Sequence, residues 1–205
     1  MVSRGFVLAV VIASSVLFMV CAFLIHPLAG KLSPIALAIV LGYSATKRWT
    51  AYSHLVLGLA LALAPMGGWV AVSGNISPPA MLLLLGVLFW VSGFDILYSL
   101  QDAEFDCEAG LNSIPARFGV RRSYIISRGL HIAAFLCFVC FGFQVALSNG
   151  WFIACAITGL LLATEHYLAL EPDKIPMAFF NINALIGFVM LGGLIYDLAT
   201  ILYAQ

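Results

Sequence analysis

Seven apolar runs, most of them close to twenty residues long, dominate this chain of 205 residues. About twenty apolar residues wound as a helix cross a hydrocarbon core of roughly 30 Å. Inside lipid the backbone must satisfy its own hydrogen bonds, so such runs fold as helices. Composition points the same way: 63% of residues are hydrophobic and 9% charged, against about 25% charged in an ordinary soluble domain. The expectation is an all-α, polytopic transmembrane helical bundle of about seven spans, forming one domain over residues 1–205.

The first span runs from about Phe6 to Ile25 and stops at His26-Pro27, where proline breaks the helical ladder. No small-residue cleavage site comes after it, so it reads as a span and not a removed signal peptide. A second, short run covers about Leu32–Tyr43 and extends toward Thr46. The third covers about Ser53–Val72 and contains Pro65, Gly67 and Gly68; the fourth covers about Ala80–Tyr98. A long polar loop then extends to about Ser127. The last three spans are expected over about Gly129–Leu147, Trp151–Leu170 and Met177–Tyr203.

Seven spans assign every loop to a side. Arg4, Lys47, Arg48, Arg117, Arg121, Arg122, Arg128 and Lys174 share one side, and only Lys31 falls on the other. Basic residues concentrate on the cytoplasmic side of membrane proteins, which puts the N-terminus and the polar loop there. The five cysteines form no metal or disulfide framework: Cys21, Cys137, Cys140 and Cys155 lie in apolar runs, where thiols behave as small hydrophobes, and only Cys107 is expected to meet water. No basic cluster with interleaved aromatics supports a nucleic-acid partner.

Chemistry concentrates in Ser92–Gly119, which holds Asp95, Asp102, Glu104, Asp106 and Glu108, five of the nine acidic residues. On a continuous helix Asp95, Asp102 and Asp106 fall within roughly 40° of one another, with Tyr98 about 60° away and Glu104 opposite. Stacked carboxylates repel unless they stay solvated or share a cation, and carboxylate oxygens suit Mg²⁺. On the same side Tyr43, Lys47 and Arg48 close the second span. Carboxylates for a divalent cation beside basic groups for phosphate oxygens is the pairing that binds and ionises a diphosphate. A basic helix end is otherwise a simple topology anchor, and an acidic helix end a solvated one.

At these residues the chain resembles a family. The stretch Gly93 to Asp106 is similar to the second aspartate-rich motif, D-x-x-Y-x-x-x-D-x-x-x-D, of the UbiA superfamily of intramembrane prenyltransferases. Tyr43 to Arg48 resembles its Y-x-x-x-K-R segment. Asn112-Ser113-Ile114-Pro115 and Arg117-Phe118-Gly119 resemble the residues after that second motif, and Ala178 to Asn183 resembles the start of the family's last span. The similarity is greatest to the 4-hydroxybenzoate polyprenyltransferase branch, including relatives in menaquinone synthesis. The resemblance implies Mg²⁺-dependent transfer of a polyprenyl group from polyprenyl diphosphate to an aromatic acceptor in ubiquinone or menaquinone biosynthesis, in a bacterial inner membrane. Carried over by position, Asp102 and Asp106 would ligate the metal, and Asp95 would support them or position the acceptor. Lys47 and Arg48 would balance diphosphate charge, and Tyr43 and Tyr98 would contact diphosphate or acceptor.

The family's first aspartate-rich motif, N-D-x-x-D-x-x-x-D, has no counterpart in these 205 residues. The expectation is therefore an N-terminally incomplete domain, nearly inactive alone, from a longer reading frame. The alternatives are an inactive remnant, a non-catalytic membrane protein that binds a Mg²⁺-diphosphate lipid, or a small transporter. A transporter would carry ionisable groups near mid-membrane, whereas these acids gather at one rim. Among the remaining polar residues, Glu165 and His166 are expected to snorkel to the interface and Asp197 to reach water. His54 and His131 have no acidic partner at ligand spacing and are expected to be structural, while Asn181 and Asn183 either bond between helices or line a cavity.

Overall fold

The computed structural model describes residues 3–203. Seven of its helices are long and apolar enough to cross a membrane, as the hydropathy pattern requires. They comprise α1 (Arg4–Ile25), α2 (Pro27–Gly42, which reaches spanning length with the turn that continues it to Arg48), α3 (Ser53–Ser73), α4 (Pro78–Tyr98), α7 (Val120–Gln144), α8 (Asn149–Leu168) and α10 (Asn183–Tyr203). Two short helices, α5 (Ala103–Glu108) and α6 (Ile114–Phe118), fill the connection after α4, and a single turn, α9 (Ile175–Met177), precedes the last span. Each span packs on the next, and the start of the last span returns onto α4.

The second span begins earlier than hydropathy suggests. Pro27 occupies the first turn, where its missing N–H costs nothing, and His26 Nδ1 accepts the Leu28 N–H at 3.1 Å. Inside the helix, Pro34 cannot donate to the carbonyl of Gly30, and the Ser33 hydroxyl donates to that carbonyl instead, at 2.8 Å. The helix then tightens into a 3₁₀ turn over Tyr43–Arg48. At the opposite end of α3, Gly74 closes the helix in the left-handed conformation, φ 68°, with His26 packed where a Cβ would stand.

Two small residues, Gly58 and Ser92, set the α3–α4 spacing. A Cβ on Gly58 would run into the Leu88 carbonyl oxygen and the Ser92 hydroxyl of α4, so only glycine allows the two backbones this close. Around this crossing Ala62, Met66, Val70, Ala80 and Leu84 form one buried cluster. A second, built from Ala134, Phe138, Phe141, Trp151 and Cys155, joins α7 to α8. No described residue of α1 is buried, so it adds an outer layer on α2.

Three expectations need correction. The polar loop to Ser127 is largely helical, and α7 starts at Val120 instead of near Gly129. Hydropathy misses these turns because Arg121, Arg122 and Arg128 are exposed, while the buried hydroxyls of Ser123 and Ser127 donate to the Gly119 and Gly93 carbonyls at 2.9 and 2.7 Å. Asp197 does not reach water. It is buried, and from α10 it accepts the Ser148, Gly150 and Trp151 N–H groups at 2.8, 2.9 and 3.0 Å and the Ser148 hydroxyl at 2.7 Å. A neighbouring span thus caps the N-terminus of α8, satisfying donors a helix start leaves orphaned.

Glu165 and His166 likewise do not snorkel. Both are buried in the bundle: the Asn183 amide donates to Glu165 Oε1 at 2.9 Å, and the Trp90 indole donates to Asn183 Oδ1 at 2.7 Å. Asn183 therefore bonds between helices, tying α4, α8 and α10 together. Beside it His131 Nε2 lies 3.3 Å from the Trp90 carbonyl and His131 Nδ1 lies 3.1 Å from His166 Nε2. A carbonyl can only accept, so His131 is protonated at Nε2, and His166 donates to its Nδ1.

Candidate active site

The candidate site lies at the end of the bundle where α2 and α4 finish. Its acidic segment does not continue α4 as one regular helix. Winding tightens to a 3₁₀ turn over Ser99–Asp102 before α5 resumes. Three residues per turn instead of 3.6 adds roughly 20° per residue, about 80° over those four positions. The single stripe expected for Asp95, Asp102 and Asp106 is thereby broken, and each carboxylate meets a different environment.

Asp106 is buried and paired with Lys47, whose Nζ lies 3.1 Å from Oδ2 and 3.4 Å from Oδ1. Asp95 is half-buried, and its Oδ2 lies 2.6 Å from Nδ1 of the fully buried His54. Asp102 is exposed and has no hydrogen-bond or ion-pair partner among the described residues. The basic segment comes to the same place because the connection after α5 clasps it. The Asn112 N–H donates to the Lys47 carbonyl at 2.7 Å, and its side-chain amide reaches the Lys47 and Arg48 carbonyls at 3.3 and 3.4 Å. A 3₁₀ end to α2 leaves such carbonyls unpaired, and Asn112 satisfies them.

Arg48 is exposed at this rim, and Tyr43, also exposed, opens the same 3₁₀ turn. Tyr98 takes another course: its ring stacks on Phe179, centroids 4.2 Å apart and 34° between planes, and Phe94 and Phe180 complete the aromatic group. Phe179 and Phe180 reach it from a π-helical segment, Ala178–Ile182. One-turn π segments recur at functional sites because they re-aim side chains.

The structure therefore brings Lys47 to Asp106 and places Tyr43, Arg48, Asp95, Tyr98 and Asp102 around the same end. It does not gather the three aspartates on one cation. Among the described residues no group of three or more His, Cys, Asp or Glu side chains could hold a metal ion. With Asp106 committed to Lys47 and Asp95 to His54, these donors as they stand do not fit a Mg²⁺ cage. His54 was missed by sequence reasoning, since 41 residues separate it from Asp95 and only its place at the start of a span on the acidic rim hints at the contact.

Seven membrane-spanning helices with a basic turn clasped to an acidic segment at one end define an integral membrane protein whose charged side chains gather at one rim. Residues 1–185 match the UbiA prenyltransferase family, and the chain belongs to that family. It is 31% identical over 179 residues to a 4-hydroxybenzoate octaprenyltransferase of Alkalilimnicola ehrlichii and 30% identical over 178 residues to a 4-hydroxybenzoate solanesyltransferase of Synechocystis. Each alignment covers 85% of this chain and 60% of the relative, so the chain spans about three-fifths of those relatives' length. The apo structure of a UbiA homolog from Aeropyrum pernix K1 superposes with a TM-score of 0.86 at 32% identity, covering 96% of this chain and 74% of that one.

Proposed function

We propose that this chain takes part in transferring a polyprenyl group from a polyprenyl diphosphate to an aromatic acceptor of the 4-hydroxybenzoate type, in quinone biosynthesis. The observation that carries the reading is the clasp between the two polar segments, in which Lys47 and Arg48 sit against the acidic connection. In the transfer the allylic carbon–oxygen bond breaks and its electron pair leaves with the diphosphate. An aromatic carbon then bonds to the allylic cation, and the ring loses the proton from that carbon. Lys47 Nζ carries three N–H donors and its side chain is 32% exposed, so it can meet a phosphate oxygen while still holding Asp106. Arg48 supplies a second cation at the rim.

In this reading Asp95 and Tyr98 meet the acceptor, Tyr43 contacts the diphosphate, and Asp102 is the carboxylate left uncommitted. The aromatic group of Phe94, Tyr98, Phe179 and Phe180 supplies an apolar wall that keeps water from quenching a cation. Mg²⁺ dependence, which the family suggests, would need Asp106 to exchange Lys47 for the metal and join Asp102 as a ligand. That part rests on the family and not on the donor geometry, because Asp106 is held by Lys47. The distribution of basic residues supports a site on the cytoplasmic face of a bacterial inner membrane.

The test is direct. Membranes containing the protein are given polyprenyl diphosphate, Mg²⁺ and labelled 4-hydroxybenzoate. Prenylated product at a low level, lost in Asp102→Ala and on chelation of Mg²⁺, is the expected result. Full turnover by an Asp102→Ala/Asp106→Ala double variant would sink the site assignment.

A further inference from the structure

We propose that His54 is a positioning residue that holds the Asp95 carboxylate in one orientation and ties it to the connection after α5. Hydrogen-bond direction fixes the tautomer. The Ile114 N–H points at His54 Nε2 at 3.3 Å, and a backbone N–H can only donate. Nε2 therefore carries the lone pair, and the neutral ring bears its proton on Nδ1. That nitrogen lies 2.6 Å from Asp95 Oδ2, so the imidazole donates to the carboxylate. One ring thus reads two chain segments at once: α4 through Asp95 and α6 through the first amide of its helix.

The ring itself cannot drift. His54 is fully buried, and its ring is held from both nitrogens by Asp95 Oδ2 and the Ile114 N–H. Asp95 Oδ1, by contrast, has no partner among the described residues and is not sealed from the surface. One carboxylate oxygen is thus fixed by His54 and the other is presented outward. A carboxylate gripped on one oxygen offers the second in a defined direction, which is what a group that orients a substrate requires.

This inference rests on the proposed prenyl transfer only for its consequence; the latch itself is a statement about geometry. His54→Phe fills the same space and removes both hydrogen bonds. His54→Gln restores a donor and an acceptor on one side chain. In a prenyl-transfer assay with polyprenyl diphosphate and labelled 4-hydroxybenzoate, His54→Phe is expected to lower kcat about a hundredfold, the scale of a reacting group misplaced by an ångström. His54→Gln is expected to recover to within roughly tenfold of wild type, the scale of one imperfect hydrogen bond. In an Asp95→Asn background, His54→Phe is expected to add little, because the two act as a unit. Losses that multiply in the double variant, or a Gln variant no better than Phe at equal thermal stability, would overturn the proposal.

A readout independent of turnover separates this idea from the reaction. In ¹⁵N-histidine-labelled protein, the signals lost in His54→Phe are expected to show a protonated Nδ1 and a bare Nε2, and Asp95→Ala is expected to shift the Nδ1 signal. The reversed tautomer, or no shift, overturns the latch whether or not the chain is active. An inactive wild type with the expected tautomer would instead remove the prenyl-transfer reading and the catalytic consequence drawn from it.

Discussion

Lys47 Nζ and Asp106 Oδ2 lie 3.1 Å apart although 59 residues separate them in the chain. The pair closes the end of the bundle by linking the turn after α2 to α5. Its two members are unequally exposed, with 32% of the lysine side chain accessible against 2% of the aspartate. Losing the lysine strands a buried carboxylate, which costs far more than losing a surface ion pair. Lys47→Met should lower stability by roughly 1–3 kcal/mol, read by thermal unfolding in detergent. Adding Asp106→Leu should recover most of that loss while turnover stays absent. A double variant less stable than Lys47→Met alone would show that the charge is not what the pair exists to neutralise.

Asp102 supplies the contrast. It is exposed and without a partner among the described residues, so Asp102→Ala should change stability by no more than about 0.5 kcal/mol. If it meets diphosphate through a cation, the same variant should abolish product formation. Unchanged stability with unchanged turnover would remove Asp102 from the site.

The buried polar group joining α4, α8 and α10 yields a third expectation. Asn183→Leu leaves the Trp90 indole N–H and Glu165 Oε1 without their protein partners inside the bundle. A loss of about 2–4 kcal/mol is expected, two stranded buried groups at 1–3 kcal/mol each with partial relaxation. Glu165→Gln/Asn183→Leu should be no milder, since a glutamine amide is equally stranded. Unfolding monitored by tryptophan fluorescence would register the change, and a neutral Asn183→Leu would mean the network contributes nothing.

How much of this was legible in the sequence depends on the range of the interaction. The spans could be read because twenty apolar residues in lipid have one conformation that pairs every backbone group, and Pro27 marks the start of one by local chemistry. The start of α7 could not, because Arg121 and Arg122 look like loop until Ser123 and Ser127 are seen bonding inward. The acidic motif was visible, but its three carboxylates looked like one stripe because a regular helix was assumed through Ser99. His54 with Asp95, His131 with His166, and Glu165 with Asn183 all depend on which helix packs on which. No spacing within one span encodes those pairs.

Asp197 gives the last expectation, at the end of the bundle away from the candidate site. Its carboxylate takes three backbone N–H groups at the start of α8 together with the Ser148 hydroxyl. A helix start ordinarily finds its cap in the preceding residue, but the Ser148 side chain makes no such bond here and donates to Asp197 instead. Asp197→Ala should therefore cost about 2 kcal/mol, the upper end for a lost N-cap, while Asp197→Asn, which keeps one acceptor oxygen, should cost less. Gly150 approaches Asp197 so closely that a Cβ there would stand 2.6 Å from Oδ1, so Gly150→Ala should lower thermal stability by the same route. None of the three should alter KM for either substrate in a prenyl-transfer assay, because the cap sits at the opposite end from Lys47 and Asp106. A KM that moves with Asp197→Ala would show that the position of α8 reaches the site.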